Sequence, residues 1–175
     1  MTDPVPVIAV VGPSGVGKTR LVEALIAELV GRGYRVGAIK HSRHGFVMDL
    51  PGKDTWRYAR AGASGVAIST PGRVGVIRQV EGELRGQEVV ALLPGVDLVV
   101  AEGFGGEPWP KVEVRGARPS EREYRNVVAV VSAEGGVADG QSPSGHGTPT
   151  FTPYQVSRLA DCLEGGCLRG CRRRE

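Results

Sequence analysis

Apolar positions along the chain follow two spacings. Val7–Val11 is an unbroken, mostly β-branched run closed by Gly12-Pro13, the pattern of a strand buried on both faces of a parallel sheet. From Lys18 to about Arg32, Leu21, Val22, Leu25, Ile26 and Leu29 fall on one helical face, and Gly31 and Gly33 supply the stop. Tyr34–Ile39 predicts a second strand, which completes a right-handed βαβ unit. Residues 41–52 read as a loop and Asp54–Ala61 as a short helix. Val66–Ser69 and Val74–Ile77, on either side of Pro71-Gly72, read as a hairpin or two short strands. Gln87–Leu93 predicts a helix stopped by Pro94-Gly95. Strands are expected at Leu98–Ala101, Lys111–Arg115 and Val127–Val131, and a last helix at Gln155–Leu163 behind Pro153. Strands alternating with helices imply an α/β fold with a mainly parallel β-sheet flanked by helices.

Composition narrows the class. Of 175 residues, 41% are hydrophobic and 23% charged, ordinary globular usage that excludes wholesale disorder. Glycine and proline are abundant (27 and 12) without a G-X-Y period, which excludes collagen and predicts many tight turns. No apolar run reaches the roughly 20 residues of a membrane span, and the first residues lack the basic and cleavage regions of a signal peptide. A cytoplasmic protein without membrane contact is expected. The formal charge of +3 comes from the end of the chain, where Arg169, Arg172, Arg173 and Arg174 face Glu175; the rest carries equal numbers of basic and acidic side chains. No basic stripe for nucleic acid is expected.

Cys162, Cys167 and Cys171 cluster near the carboxyl terminus in a spacing that fits neither a disulfide framework nor a common zinc site. A single domain over residues 1–164 is expected, followed by a basic, cysteine-containing tail at 165–175. Residues 134–150, poor in apolar side chains and rich in Gly, Ser and Pro, predict a mobile loop.

Gly12-Pro13-Ser14-Gly15-Val16-Gly17-Lys18-Thr19 fits G-x-x-x-x-G-K-[ST] in full, where this composition gives about 0.008 matches by chance. It lies between a predicted buried strand and a predicted amphipathic helix, the context of a P-loop NTPase-type fold. Glycines at 12, 15 and 17 let successive N–H groups converge on an anion, and the helix N-terminus adds its dipole. Lys18 is placed to reach β- and γ-phosphates, and the Thr19 hydroxyl to ligate Mg²⁺. Residues 12–19 with Arg20 are the predicted nucleotide-binding set. A carboxylate at the end of a neighbouring strand should serve the metal; Glu102, at the carboxyl end of Leu98–Ala101, is chosen over Asp97, which reads as a turn residue. Lys18 and Glu102 are the candidate catalytic pair.

A second cluster follows the second strand: Lys40, His41 and His44, then Asp49, Lys53, Asp54 and Arg57. A basic rim of this kind suits an anionic second substrate or a partner. Lys40-His41-x-x-His44, Asp49-x-Pro51-Gly52-Lys53-Asp54-Thr55-Trp56-Arg57 and Ala61-Gly62-Ala63, with Asp97–Phe104 and Pro110–Val114, resemble the molybdopterin-guanine dinucleotide biosynthesis protein B family over roughly residues 5–133. The resemblance implies a GTP-binding, weakly GTP-hydrolysing homodimer. Such a protein assists the guanylyltransferase that joins GMP to molybdopterin. It also implies that residues 12–19 hold GTP with Mg²⁺, that Glu102 takes the acidic position, and that His41, His44 and Asp49–Arg57 meet the pterin or the partner. Lys111 would be a cation beside that rim or a strand-end charge. The chain has no N-K-x-D sequence, so GTP rather than ATP follows from the resemblance alone. The alternatives are a P-loop small-molecule kinase, in which His41, Lys53 and Arg57 clamp an anionic acceptor and Asp49 or Asp54 is the base, and a nucleotide switch that orders the 134–150 loop.

Overall fold

A computed structural model describes residues 4–42, 44–117, 122–132 and 147–171. The chain divides into two compact units, one formed by Met1–His41 with Gly86–Glu175 and the other by Ser42–Arg85. The predicted mobile loop lies, up to residue 146, outside the described residues, as do the last four residues of the predicted tail.

The larger unit is built on six parallel strands, β1 (Val7–Val11), β2 (Val36–Lys40), β5 (Leu98–Glu102), β6 (Lys111–Arg115), β7 (Val127–Ser132) and β8 (Thr150–Phe151), in the order β2-β5-β1-β6-β7-β8. Helices α1 (Lys18–Gly31), α3 (Gly86–Val90) and α4 (Val156–Gly165) complete it. Every residue of β1 and β5 is buried, as their unbroken apolar runs require. Ile8, Val10, Leu98, Val100, Val112 and Val114 pack against Leu21, Leu25 and Leu29 of α1 and Leu159 and Leu163 of α4. On the opposite face, Val7, Ala9, Val11, Val99 and Ala101 meet Val90 of α3, with Trp109 and Phe104 beside them. The α/β parallel sheet flanked by helices is the expected fold.

In the smaller unit, β3 (Gly65–Thr70) and β4 (Arg73–Arg78) form an antiparallel hairpin across Pro71-Gly72, a sheet of its own, and α2 spans Asp54–Arg60.

Four details differ from the sequence reading. The second strand begins at Val36 because Tyr34 turns into the core and its hydroxyl donates to Glu164 Oε1 at 2.9 Å. The third helix ends at Val90, where Ala91–Gly95 form turns. β8 is an added two-residue edge strand. The tail expected to follow the domain from residue 165 instead packs onto it at three positions, since Leu168 is buried and Cys167 and Cys171 rest against the α1–α4 core.

The connection from β5 to β6, residues 103–110, contains no helix although the strands are parallel. Such crossovers ordinarily need a dozen or more residues because the chain must return the length of a strand. Here β5 ends at Glu102, level with Val10 of β1, and β6 begins at Lys111, level with Ala9. The chain therefore only steps sideways across β1, about 10 Å or two strand spacings. Lys111 secures this step. It is 1% exposed, and its ammonium donates to the carbonyls of Glu107 (2.6 Å) and Trp109 (2.9 Å). Burial lowers its pKa, an effect opposed by Glu107 and reinforced by Arg122. Of the two sequence readings of Lys111, neither anticipated a buried loop anchor.

Arg32 fastens α1 to α4. Its guanidinium donates to Glu28 (2.8 Å), Asp161 (2.6 Å), Glu164 (2.6 Å) and the Ser157 carbonyl (2.8 Å). Burial works against its charge, but the three carboxylates outweigh that and raise its pKa. Arg32→Ala leaves Glu28 and Glu164 without their common cation and should cost about 2–3 kcal/mol in urea unfolding. Combined with Glu164→Ala, the loss should fall short of the sum of the two single losses.

The three cysteines are free, and burial pushes each thiol up, Cys167 to about 11 from an ordinary 9.0. At pH 8, Cys167 should alkylate about 100-fold more slowly in the folded protein than an unperturbed thiol. Because the folded state holds its proton longer, this contribution to stability is complete below pH 9. It is lost as pH rises from 9 towards 11, where the unfolded thiol ionises first. Thermal melts of wild type and Cys167→Ala across that window read the difference.

Candidate functional site

The loop Gly12–Gly17 joins β1 to α1, and its backbone is set by glycine. Gly12, Gly15 and Gly17 have φ of 141°, 78° and 95°. At Gly12 the reason is also steric: because β6 overshoots the end of β1, a Cβ here would sit 2.3 Å from the Val114 carbonyl oxygen. Gly17 is the left-handed N-cap of α1 and offers no side-chain acceptor to the helix. The first N–H groups of a 14-residue helix are thus left for an anion, with the positive end of the helix dipole behind them. The Lys18 ammonium donates to the Pro13 carbonyl, so it folds back over the loop. Ser14 and Arg20 are exposed, and Val16 lies against Gly116.

Glu102 stands at the carboxyl end of β5, level with Val10 on one side and Lys40 on the other. It is 9% exposed, and its two oxygens are engaged separately. Oε2 accepts the Thr19 hydroxyl at 3.0 Å and Oε1 accepts the Lys40 ammonium at 2.8 Å. The donor set is a buried carboxylate and a hydroxyl at a helix N-terminus, all oxygen, which fits a hard cation such as Mg²⁺. Among the described residues no three His, Cys, Asp or Glu converge as a metal site.

Gly103 follows with φ 93°, and a Cβ there would press on His41 at 3.2 Å. The His41 N–H donates to the Glu102 carbonyl at 3.0 Å, and its ring tilts against Phe104 at 5.4 Å. Asp97 lies at the other end of β5. Its carboxylate accepts the Arg35 N–H at 2.7 Å and pairs with the Arg35 guanidinium, the structural part read from sequence.

The structure therefore brings together residues 12–19, Glu102, Lys40 and His41. The remaining predicted rim residues belong to the smaller unit. There His44, Lys53, Asp54 and Arg57 are exposed, Asp49 accepts the Thr55 hydroxyl at 2.9 Å, and Arg57 lies 4.0 Å from Asp54. The contact that sequence reasoning missed is Lys40 on Glu102. Its signal was present in the placement of both residues at strand ends, but strand adjacency was needed to join them.

The sequence pattern described as "Molybdopterin guanine dinucleotide synthesis protein B" (MobB) matches residues 7–133, well over half of the chain. The chain belongs to the MobB family. It is 40% identical over 116 residues to a molybdopterin-guanine dinucleotide biosynthesis adapter protein of Haemophilus influenzae, covering 64% of each chain. To the Escherichia coli protein of the same name it is 35% identical over 137 residues, 73% of this chain and 78% of that one. A crystal structure of Bacillus subtilis MobB superposes with a TM-score of 0.69 at 26% identity, covering 91% of this chain and 99% of the other. The chain thus spans 64% of the Haemophilus protein's length. Its parallel sheet is that of the solved MobB proteins, a P-loop NTPase-like fold. No helix among the described residues is long and apolar enough to cross a membrane.

Gly12→Ala should cost about 2–4 kcal/mol, because backbone rather than a movable side chain blocks the added methyl. Gly15→Ala, with open space around it, should cost only about 1 kcal/mol of left-handed strain. Comparing the two chemical denaturation midpoints separates steric from conformational need.

Proposed function

We propose that this MobB-family chain is a GTP-binding adaptor in molybdopterin guanine dinucleotide synthesis. The observation that carries the reading is the bond from Thr19 to the buried Glu102 beside a glycine-built helix N-terminus. A hydroxyl and a carboxylate so held, next to the N–H groups of the first helical turn and the lysine that opens it, suit a metal-bound triphosphate. In this reading residues 12–19 cradle the phosphates through backbone N–H groups, and Lys18 leaves the Pro13 carbonyl for the β- and γ-phosphates. Thr19 and Glu102 hold Mg²⁺, which neutralises phosphate charge when bound. The choice of GTP rather than ATP follows the family's guanine chemistry.

The adaptor role draws on the names borne by the Haemophilus and Escherichia relatives. The partner is then the guanylyltransferase that joins GMP to molybdopterin, and the chain works in the cytoplasm as a homodimer. His41, His44 and the Asp49–Arg57 stretch meet the pterin or that partner. Hydrolysis is weak, slower than the roughly 1–100 s⁻¹ of kinases.

Isothermal titration tests the site. GTP should bind more tightly than ATP, and Lys18→Ala should raise the GTP Kd by about 100-fold, a loss of roughly 3 kcal/mol for a phosphate charge left unpaired. Glu102→Gln should reduce the gain in affinity that Mg²⁺ provides while leaving binding in EDTA nearly unchanged. Undiminished binding by Lys18→Ala refutes the site, and an unaltered Mg²⁺ response assigns the metal to another acid.

A further inference from the structure

Lys40 stands apart from the phosphate-binding set and from the exposed rim with which its sequence grouped it. Its ammonium lies 2.8 Å from Glu102 Oε1, while Oε2 of the same carboxylate takes the Thr19 hydroxyl. Register fixes this neighbourhood, since Lys40 and Glu102 are paired positions on adjacent parallel strands. The partners are unequal in freedom. The Glu102 side chain is 12% exposed and tied at both oxygens, whereas the Lys40 side chain is 60% exposed on a four-carbon stem. A buried carboxylate needs a positive partner, and in this arrangement the lysine provides it.

We infer that Lys40 is a resident counter-ion of Glu102 that a divalent cation must displace, so that it sets the metal concentration at which the site loads. The inference rests on the reading of Glu102 as the metal carboxylate. A divalent ion and an ammonium on one carboxylate repel each other. The exposed, flexible lysine is the member able to leave, because its head can return to water while its stem stays in place. Displacement moves one positive charge out of the pair as two arrive, and Glu102 is never left bare. Lys40 thus acts as a positioning residue that keeps the carboxylate paired and aimed at Thr19, and it raises the threshold for metal entry.

The alternative part for this lysine, a direct phosphate ligand, predicts effects of opposite sign. Mn²⁺, a spin-active stand-in for Mg²⁺, is titrated into the full-length protein by electron paramagnetic resonance, with and without GTP. GTP affinity in EDTA is measured by calorimetry alongside. Lys40→Met should lower the Mn²⁺ midpoint about ten-fold, with GTP affinity in EDTA changed less than two-fold. Lys40→Arg, which keeps the charge, should retain the wild-type midpoint within two-fold. Lys40→Gln serves as a second neutral variant should the methionine form unfold. A Mn²⁺ midpoint unchanged or raised in the neutral variants overturns the inference, as does a ten-fold loss of GTP affinity in EDTA. The titration without GTP reads Lys40 even if the nucleotide assignment fails, and failure of that assignment appears separately, as GTP binding by wild type that Lys18→Ala does not weaken.

Discussion

A carboxylate at the end of a strand buried on both faces has to find its partners at the rim, and Glu102 meets that demand twice. Along β5 every residue before it is apolar, so nothing within its own strand can satisfy the charge. The helix that follows β1 supplies a hydroxyl from Thr19, and the next strand supplies an ammonium from Lys40. Both depend on register. A slip of one residue in β5 would turn Glu102 to the face covered by α3 and place Ala101 beneath Thr19. The chemistry of the rim is therefore fixed by the same strand pairing that buries the valines.

The sideways step from β5 to β6 has a comparable reach. Because β6 starts where β5 stops, it extends past the end of β1 and lays the Val114 carbonyl over Gly12. That contact forbids a side chain at the first glycine of the loop, whereas Gly15 and Gly17 are required for their left-handed backbone alone. The short connection has to be held down, and the buried ammonium of Lys111 does so through two carbonyls. A lysine is suited to this because its stem spans an apolar interior while its head satisfies backbone acceptors, and the cost of burial appears as its lowered pKa.

Much of this was legible in the chain because the signals were local. The runs at Val7–Val11 and Leu98–Ala101 can only be strands buried twice, and the spacing from Leu21 to Leu29 can only be a helix laid on them. Glu102 was legible as an acid at a carboxyl end. The illegible parts depended on neighbours distant in sequence. Lys40 reads as one more cation in a basic stretch until β2 is placed beside β5. Lys111 reads as a strand-end charge until the length of the crossover is set against the level at which β6 begins. Tyr34 has the β-forming side chain of a strand residue, yet a hydroxyl bond to Glu164, 130 residues away, pulls it out of β2. β8, only two residues long, lies beyond the range of any periodicity.

The match to the family's sequence pattern ends at residue 133, but the solved Bacillus subtilis relative superposes over 91% of the chain and the folded unit runs on past that point. Leu159, Leu163 and Leu168 close the face of the sheet on which α1 lies, and Asp161 and Glu164 grip Arg32 just past its carboxyl end. One helix thus joins the two halves of the problem, for its first turn bears Lys18 and Thr19 and its last is clamped by α4. A row of N–H donors can hold an anion only if the helix presenting them does not rock, since a shift of about 1 Å would spoil each bond. α4, beyond the sequence-pattern match, holds the far end of α1 through Arg32, and in the proposed reading it would thereby steady the donors at the helix start.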